Sequence, residues 1–172
     1  LLNRFCDLPV KLKWPNDLVL NNKKVAGMLT EARVDSDQML DLVFGLGLNV
    51  NSDCKQWPSE IAPNATSLAS EIGNFLPINN FAANLIIVGV KAYQQFSAGN
   101  YNTDFFKLWD RYNALKLKSV TVKTQVSSLS GKVEGIDDEG SLLLKDALDK
   151  KHVLRVGEVS LGNSEILSSI ST

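Results

Sequence analysis

Leu40-Asp41-Leu42-Val43-Phe44-Gly45-Leu46-Gly47-Leu48-Asn49-Val50-Asn51 decides how this chain folds. Every even position from Leu40 to Val50 is large and apolar, while the odd positions shrink from Val43 to Gly45 and Gly47 and then turn polar at Asn49 and Asn51. A period of two is that of a β-strand with one face in the core. The other face is cleared around two glycines. Glycine in a strand gives up packing and backbone entropy, and so marks close approach by a ligand or another backbone. The segment is not the dinucleotide fingerprint, because Val50 stands where the third glycine belongs and no helix opens there. No Gly-x-x-x-x-Gly-Lys phosphate loop occurs either.

Upstream, Val10, Leu12 and Trp14 alternate with Lys11 and Lys13, a short strand that Pro15-Asn16-Asp17 breaks. Leu18-Val19-Leu20 and Lys24 to Arg33 read as two strands joined at Asn21-Asn22-Lys23, with asparagine supplying the positive φ of a hairpin. Asp35-Ser36-Asp37 is the next turn. Downstream, residues 52–64 form an irregular loop. Ala65 to Ile72 is a short helix stopped by Gly73, with Thr66 or Ser67 as its N-cap. Phe81 to Phe96 is a longer helix with apolar positions 81, 85, 92 and 96, and Asn100 to Leu115 another with Phe105, Leu108, Trp109 and Tyr112 on one stripe. Beyond it the texture changes to short strands around Val120-Thr121-Val122, 132–136, Leu142-Leu143-Leu144, 153–156 and 158–161, which predict a small SH3-like barrel. The fold class is therefore α/β (α+β), a mixed sheet with helices followed by that barrel. The domains are 1–115 and 116–172.

Composition bounds the function. The chain has 172 residues, 44% hydrophobic and 22% charged, with a net charge of −1, so no basic field advertises nucleic acid. The longest apolar run, 85–90, is far too short for a bilayer span, and residues 1–10 lack a signal-peptide pattern. Cys6 and Cys54 suit a reducing compartment, which makes the cytoplasm the expected location. His152 cannot build a zinc site with two scattered cysteines and reads as a surface residue. Glu134, Asp137, Asp138 and Glu139 read as solvated strand and turn positions.

Three blocks in order carry a resemblance. Lys13-Trp14-Pro15-Asn16-Asp17, then Lys24-Val25-Ala26-Gly27-Met28-Leu29, then Gly45 to Asn51 resemble the second half of a biotin protein ligase catalytic domain, and the terminal strands resemble its small C-terminal domain. The resemblance implies ATP-dependent activation of biotin to biotinyl-5′-AMP and transfer to a lysine of a biotin carboxyl carrier protein domain. ATP and biotin are then substrates and Mg²⁺ a cofactor; a homodimer is allowed, and neither nucleic acid nor membrane is expected as a partner.

Residue by residue, the resemblance sets Lys13 near the biotin carboxylate and the α-phosphate. A carboxylate attacking a phosphoryl group needs a cation there. On pattern alone Lys13 is a solvated strand lysine, as Lys11 remains. Asn16 and Asp17 border the nucleotide, Asp17 with a role at Mg²⁺, although Pro-Asn-Asp is also plain turn chemistry. Gly27, Met28 and Leu29 pass beside biotin, or form an ordinary buried strand. Gly45, Gly47 and Asn49 line the adenylate pocket, with Asn49 at the adenine end. Trp14 reads as core.

The chain opens on Leu1, and the family's glycine- and arginine-rich adenylate loop belongs upstream of it. The expectation is a ligase fragment, truncated at its amino end and inactive alone. A non-catalytic module docking the carrier through the barrel and an inactive remnant are the competing readings.

Overall fold

The computed structural model describes residue 2 and residues 7–36, 38–99 and 102–161. It divides into two compact units. The first comprises Leu1–Leu12 and Asn16–Tyr112, the second Lys13–Pro15 and Asn113–Thr172.

The first unit is built on a four-stranded sheet in the order β1 (Lys11–Lys13), β2 (Asp17–Leu20), β3 (Lys23–Asp35) and β4 (Gln38–Leu48). β2 and β3 are antiparallel, and their loop residues Asn21 and Asn22 have φ of 51° and 62°. Asparagine tolerates that left-handed region, and two such residues match the twist of a hairpin. β3 and β4 are antiparallel from Ala26↔Leu48 to Asp35↔Gln38. Ser36, at φ 55°, enters their turn; Asp37 lies outside the described residues. The β2–β3 and β3–β4 pairings are thus antiparallel, and a parallel bridge joins Lys24 to Ala65.

After a 3-10 turn at Cys54–Gln56 come α1 (Leu68–Ile72), α2 (Ile78–Ser97) and α3 (Asn102–Tyr112). The expected start of α1 at Ala65 is corrected by three residues. Ala65 is held by its bridge to β3, and Thr66 donates its N–H to the Lys24 carbonyl at 2.8 Å. Ser67 is the N-cap, accepting from Ser70 N–H at 3.2 Å, and Gly73 ends the helix at φ 81°. α3 stops three residues before the expected Leu115; Asn113 Oδ1 accepts from Leu115 N–H at 2.8 Å. Asn100 lies outside the described residues.

Leu2, Val10, Leu20, Val25, Leu68 and Phe81 form the core of this unit, with Leu18, Leu48, Val50 and Leu85 packed against it. The apolar face of β4 is covered at one end only, which corrects the expectation of a continuous core face. Leu48 and Val50 reach the core, whereas Leu40, Phe44 and Leu46 are exposed. The reason is length. A 13-residue strand runs about 43 Å, and the outer part of the β3–β4 hairpin extends beyond the core cluster. There Phe44 meets Tyr93 of α2 edge-on, with ring centroids 6.1 Å apart. On α2, likewise, Phe81 is buried and Leu85 half-buried, but Ala92 and Phe96 are exposed.

The second unit holds a five-stranded antiparallel sheet in the order β8-β7-β6-β5-β9: β5 (Ser119–Lys123), β6 (Ser128–Ile136), β7 (Leu142–Lys145), β8 (Lys151–Leu154) and β9 (Glu158–Leu161). β8 and β9 stand at the two ends, so the order is open but compatible with the SH3-like plan. Alternation places Val120, Val122, Val133, Leu142, Leu144 and Val159 inside. Gly131 must be glycine, because a Cβ there would lie 2.5 Å from the Lys145 carbonyl oxygen. Asp137 and Asp146 organise the two polar turns. Asp137 Oδ1 accepts from Glu139 and Ser141 N–H, and Asp146 Oδ1 from Leu148 and Lys150 N–H. His152 is half-buried, with Nε2 2.7 Å from Asp146 Oδ2. That partner corrects its reading as a plain surface residue.

Candidate functional site

Register sorts the site residues into two faces. Asp17 pairs with Gly27, Gly27 with Gly47, and Leu29 with Gly45. Residues directly opposite in an antiparallel pair point the same way, so Asp17, Gly27, Leu29, Gly45 and Gly47 share one face of the sheet. Met28 pairs with Leu46 and Ala26 with Leu48, on the other face. That second face borders an open cavity of about 400 Å³ lined by Leu12, Leu18, Leu46, Leu48, Leu85 and Leu108. Met28 therefore projects to the face opposite Gly27 and Leu29.

The glycine face is open but unevenly so. The nearest atoms to a Cβ built on Gly45 and Gly47 are backbone oxygens, Leu29 O at 3.7 Å and Gly27 O at 3.9 Å. Above Gly27 the space is taken. Lys24 Nζ and Cε lie 3.1 Å from a Cβ there, and Asp17 Oδ1 lies 3.4 Å away. Lys24 and Asp17 form an ion pair at 2.6 Å. The register of β2 against β3 slips between Leu18↔Ala26 and Val19↔Lys24, which leaves Val25 as a bulged extra residue. A bulge of one residue brings Lys24 and Gly27 to the same face. The sequence reading missed Lys24 for that reason, although its place between the hairpin asparagines and Gly27 was the available signal.

The two asparagines are held by backbone. Asn16 donates Nδ2–H to Met28 O at 2.6 Å, and its own carbonyl accepts Met28 N–H at 2.9 Å. Asn49 donates Nδ2–H to Thr66 O at 3.1 Å and its N–H to Val25 O at 2.9 Å. Nearby, Thr66 Oγ1 donates to Glu71 Oε1, whose other oxygen accepts from Asn21 Nδ2. Cys54 sits in the same loop system. Burial raises its thiol pKa, but hydrogen bonds with Ser70, Ser67 and Thr66 outweigh that and lower it from the ordinary value.

Lys13 ends β1 half-buried, and its ammonium has no ion-pair or hydrogen-bond partner among the described residues; Lys11 is exposed. Trp14 is 3% exposed, and its indole N–H donates to Gly140 O at 2.9 Å. Its core reading thus holds. Oδ1 of Asp17 is committed to Lys24, and among the described residues no group of three His, Cys, Asp or Glu side chains stands together. Mg²⁺ is commonly held by one or two carboxylates together with substrate phosphates and water.

Known proteins resemble this arrangement in both units. The biotin/lipoate A/B protein ligase family matches residues 3–49, and the biotin protein ligase C terminal domain matches residues 118–162. The bifunctional ligase/repressor BirA of Bacillus subtilis is 32% identical over 134 residues, covering 78% of this chain and 41% of that protein. The biotin--[acetyl-CoA-carboxylase] ligase of Mycobacterium tuberculosis is 32% identical over 155 residues, covering 86% and 52%. The chain thus spans about half the length of the curated relatives it matches or less. In fold it is similar to the apo biotin protein ligase of Aquifex aeolicus, with a TM-score of 0.77 at 24% identity over 94% of this chain and 68% of that one. The same enzyme is also known in complex with biotin and ATP, at a TM-score of 0.76. No helix among the described residues is long and apolar enough to cross a membrane. With both segments matched in one chain, this polypeptide belongs to the biotin protein ligase family.

Proposed function

We propose that residues 1–172 form part of an ATP-dependent biotin protein ligase acting in the cytoplasm, with the catalytic portion in 1–115 and the small barrel in 116–172. The observation that carries this reading is the ordered match of both family segments, the first of them on a sheet whose cleared face sets Gly27 opposite Gly47. In the first half-reaction the biotin carboxylate attacks the α-phosphorus of ATP and pyrophosphate leaves. In the second, the amine of a lysine on a biotin carboxyl carrier domain attacks the biotinyl carbonyl and AMP leaves with the bonding pair. Two anions must meet in the first step, so a fixed cation lowers its barrier. Lys13 has the matching block around it and an ammonium uncommitted to any carboxylate among the described residues.

Biotin, a mostly apolar bicycle with an aliphatic chain, suits the glycine face beside the exposed Leu29 side chain, with Lys24 standing over Gly27 at its edge. The adenylate belongs toward Gly45 and Gly47, where no side chain stands over the backbone. Asn49, held by Thr66, and Asn16, held by Met28, act there through the backbone they fix. No step is assigned to Mg²⁺ at Asp17. The test is biotin-dependent pyrophosphate release and transfer of label to a carrier domain, measured on the full-length gene product. Absence of both would refute the reading.

A further inference from the structure

We propose that the Asp137–Ser141 turn of the second unit positions Lys13, with Trp14 as the link. Asp137 and Gly140 are thereby positioning residues for adenylate formation, acting through Trp14 rather than on a substrate. That role rests on the biotin ligase reading; the docking of Trp14 rests on geometry within the second unit.

The second unit contains the same turn twice. In the first copy Asp137 Oδ1 accepts from the N–H groups of Glu139 and Ser141 at 3.0 and 2.8 Å. Asp137 N–H bonds Ser141 O, and Gly140 N–H bonds Asp137 O. In the second copy Asp146 Oδ1 accepts from Leu148 and Lys150 N–H at 2.8 and 3.0 Å. Asp146 N–H bonds Lys150 O, and Asp149 N–H bonds Asp146 O. The fourth residue of each turn is left-handed, Gly140 at φ 81° and Asp149 at φ 62°. An aspartate that accepts from its own following backbone is a local turn device and needs no other partner. The copies differ in what they carry. Residues 147–150 are all exposed, whereas Gly140 is half-buried and Ser141 buried. Among the described residues only the first turn receives a tryptophan: the Gly140 carbonyl accepts the Trp14 indole N–H at 2.9 Å.

Trp14 directly follows Lys13. Lys13, Trp14 and Pro15 count with the second unit, although Leu12 and Asn16 on either side of them count with the first. A buried ring held by a directed hydrogen bond fixes its own backbone, and with it the Cα of Lys13 about 3.8 Å away. A lysine ammonium rides on a flexible four-carbon stem, and that of Lys13 has no ion-pair or hydrogen-bond partner among the described residues. Fixing the root of the side chain is therefore how the fold aims it. Asp137 holds the loop, the loop holds the ring, and the ring holds the root of the lysine. Misplacement of a reacting group slows the chemical step, by up to on the order of 100-fold, without removing a binding contact. Losing the turn should therefore lower kcat and leave KM for ATP near its original value.

The test uses full-length protein with Asp137→Ala, Gly140→Ala, Gly140→Asn, Lys13→Ala and the Asp137→Ala/Lys13→Ala double variant. Asp146→Ala, in the undocked copy of the turn, is the control. Asp137→Ala and Gly140→Ala should lower kcat for biotin-dependent pyrophosphate release by roughly 10- to 100-fold, with KM for ATP within about twofold. Gly140→Asn should recover most of the rate, because asparagine tolerates the left-handed backbone and a Cβ at 140 meets nothing within 4 Å. Asp146→Ala should lower the urea midpoint as Asp137→Ala does and leave kcat unchanged. Asp137→Ala should add little to Lys13→Ala, since both act through one ammonium. Two readouts need no substrate: hydrogen exchange of the Trp14 indole N–H, assigned by its loss in Trp14→Phe, and the backbone order parameter of Lys13. Asp137→Ala should speed the exchange by roughly 10-fold and lower the order parameter, while Asp146→Ala moves neither. Equal kcat losses in Asp137→Ala and Asp146→Ala, full additivity with Lys13→Ala, or an unmoved Lys13 order parameter would overturn the proposal. If Asp137→Ala fails to fold, the two Gly140 variants decide the same contact. A full-length protein that releases no pyrophosphate would sink the ligase reading, while the Lys13 order parameter still decides whether the turn holds the lysine.

Discussion

Trp14 donates its indole N–H to the carbonyl of Gly140, a residue 126 positions later in the chain, at 2.9 Å. The tryptophan of the Lys-Trp-Pro-Asn-Asp block thereby belongs, with Lys13 and Pro15, to the unit that holds the five-stranded sheet. Gly140 has φ 81° in the turn that Asp137 organises, so the acceptor sits on a rigid loop.

Trp14→Phe should cost about 1–3 kcal/mol, from the unpaired Gly140 carbonyl and the smaller ring. Urea denaturation would measure it. The same variant of the full-length protein should leave KM for ATP where it was, since the ring is buried. A large rise in KM without a stability loss would show that the ring contacts the nucleotide.

Lys13→Ala in the full-length protein should slow biotinyl-adenylate formation by on the order of 100- to 1000-fold, as expected when a cation at developing charge is removed. Lys11→Ala should change little, because a solvated charge shifts stability by less than about 0.5 kcal/mol. The two lysines share a strand but differ in exposure. Equal losses in both variants would argue against Lys13 at the phosphate.

The 172-residue polypeptide by itself should release no pyrophosphate in response to biotin. It spans 41% of the Bacillus subtilis relative and 52% of the Mycobacterium tuberculosis one, and positioning depends on a complete site. Steady biotin-dependent release from this polypeptide would overturn that expectation.

Ser67→Ala should destabilise the first unit by about 1–2 kcal/mol through loss of the N-cap of α1. Ser67 is fully buried and also donates Oγ–H to Ser52 O at 2.6 Å. Ser67→Asp restores an acceptor for Ser70 N–H but not the donor, so it should recover only part of the loss in thermal melts.

Asp146 links the second unit to pH. The His152 hydrogen bond, aided by Leu148 and Lys150 N–H, holds its carboxyl below the ordinary carboxylate value. A carboxyl depressed in the folded state contributes stability that is fully present above the unfolded value, about 3.9. That contribution is lost as pH falls through the folded value. Asp146→Asn should therefore flatten the decline of stability below about pH 4. An acid limb identical to that of the unchanged protein would refute the assignment.

Much of this was legible in the residues. The period-two pattern of Leu40 to Val50, the asparagine loop at 21–22, the glycine stop at 73 and the five short strands after residue 117 each express a local rule, and β4, the β2–β3 hairpin, α1 and β5–β9 follow them. The three ordered blocks were enough to name the family, because motif order survives in sequence without any contact being known. What the sequence could not carry were facts that join distant residues or depend on register. The bulge at Val25 is one unpaired residue, invisible in composition, yet it turns Lys24 onto the glycine face beside Asp17. Alternation alone separates Met28 from Gly27 and Leu29, but only the pairing with Leu46 shows which side is lined with leucine. Apolar patterning at Leu40, Phe44 and Leu46 was read as core, while burial depends on what stands opposite, and the core cluster ends before reaching them. Local propensity is written residue by residue; coverage, register and long-range partners exist only once the chain has closed on itself.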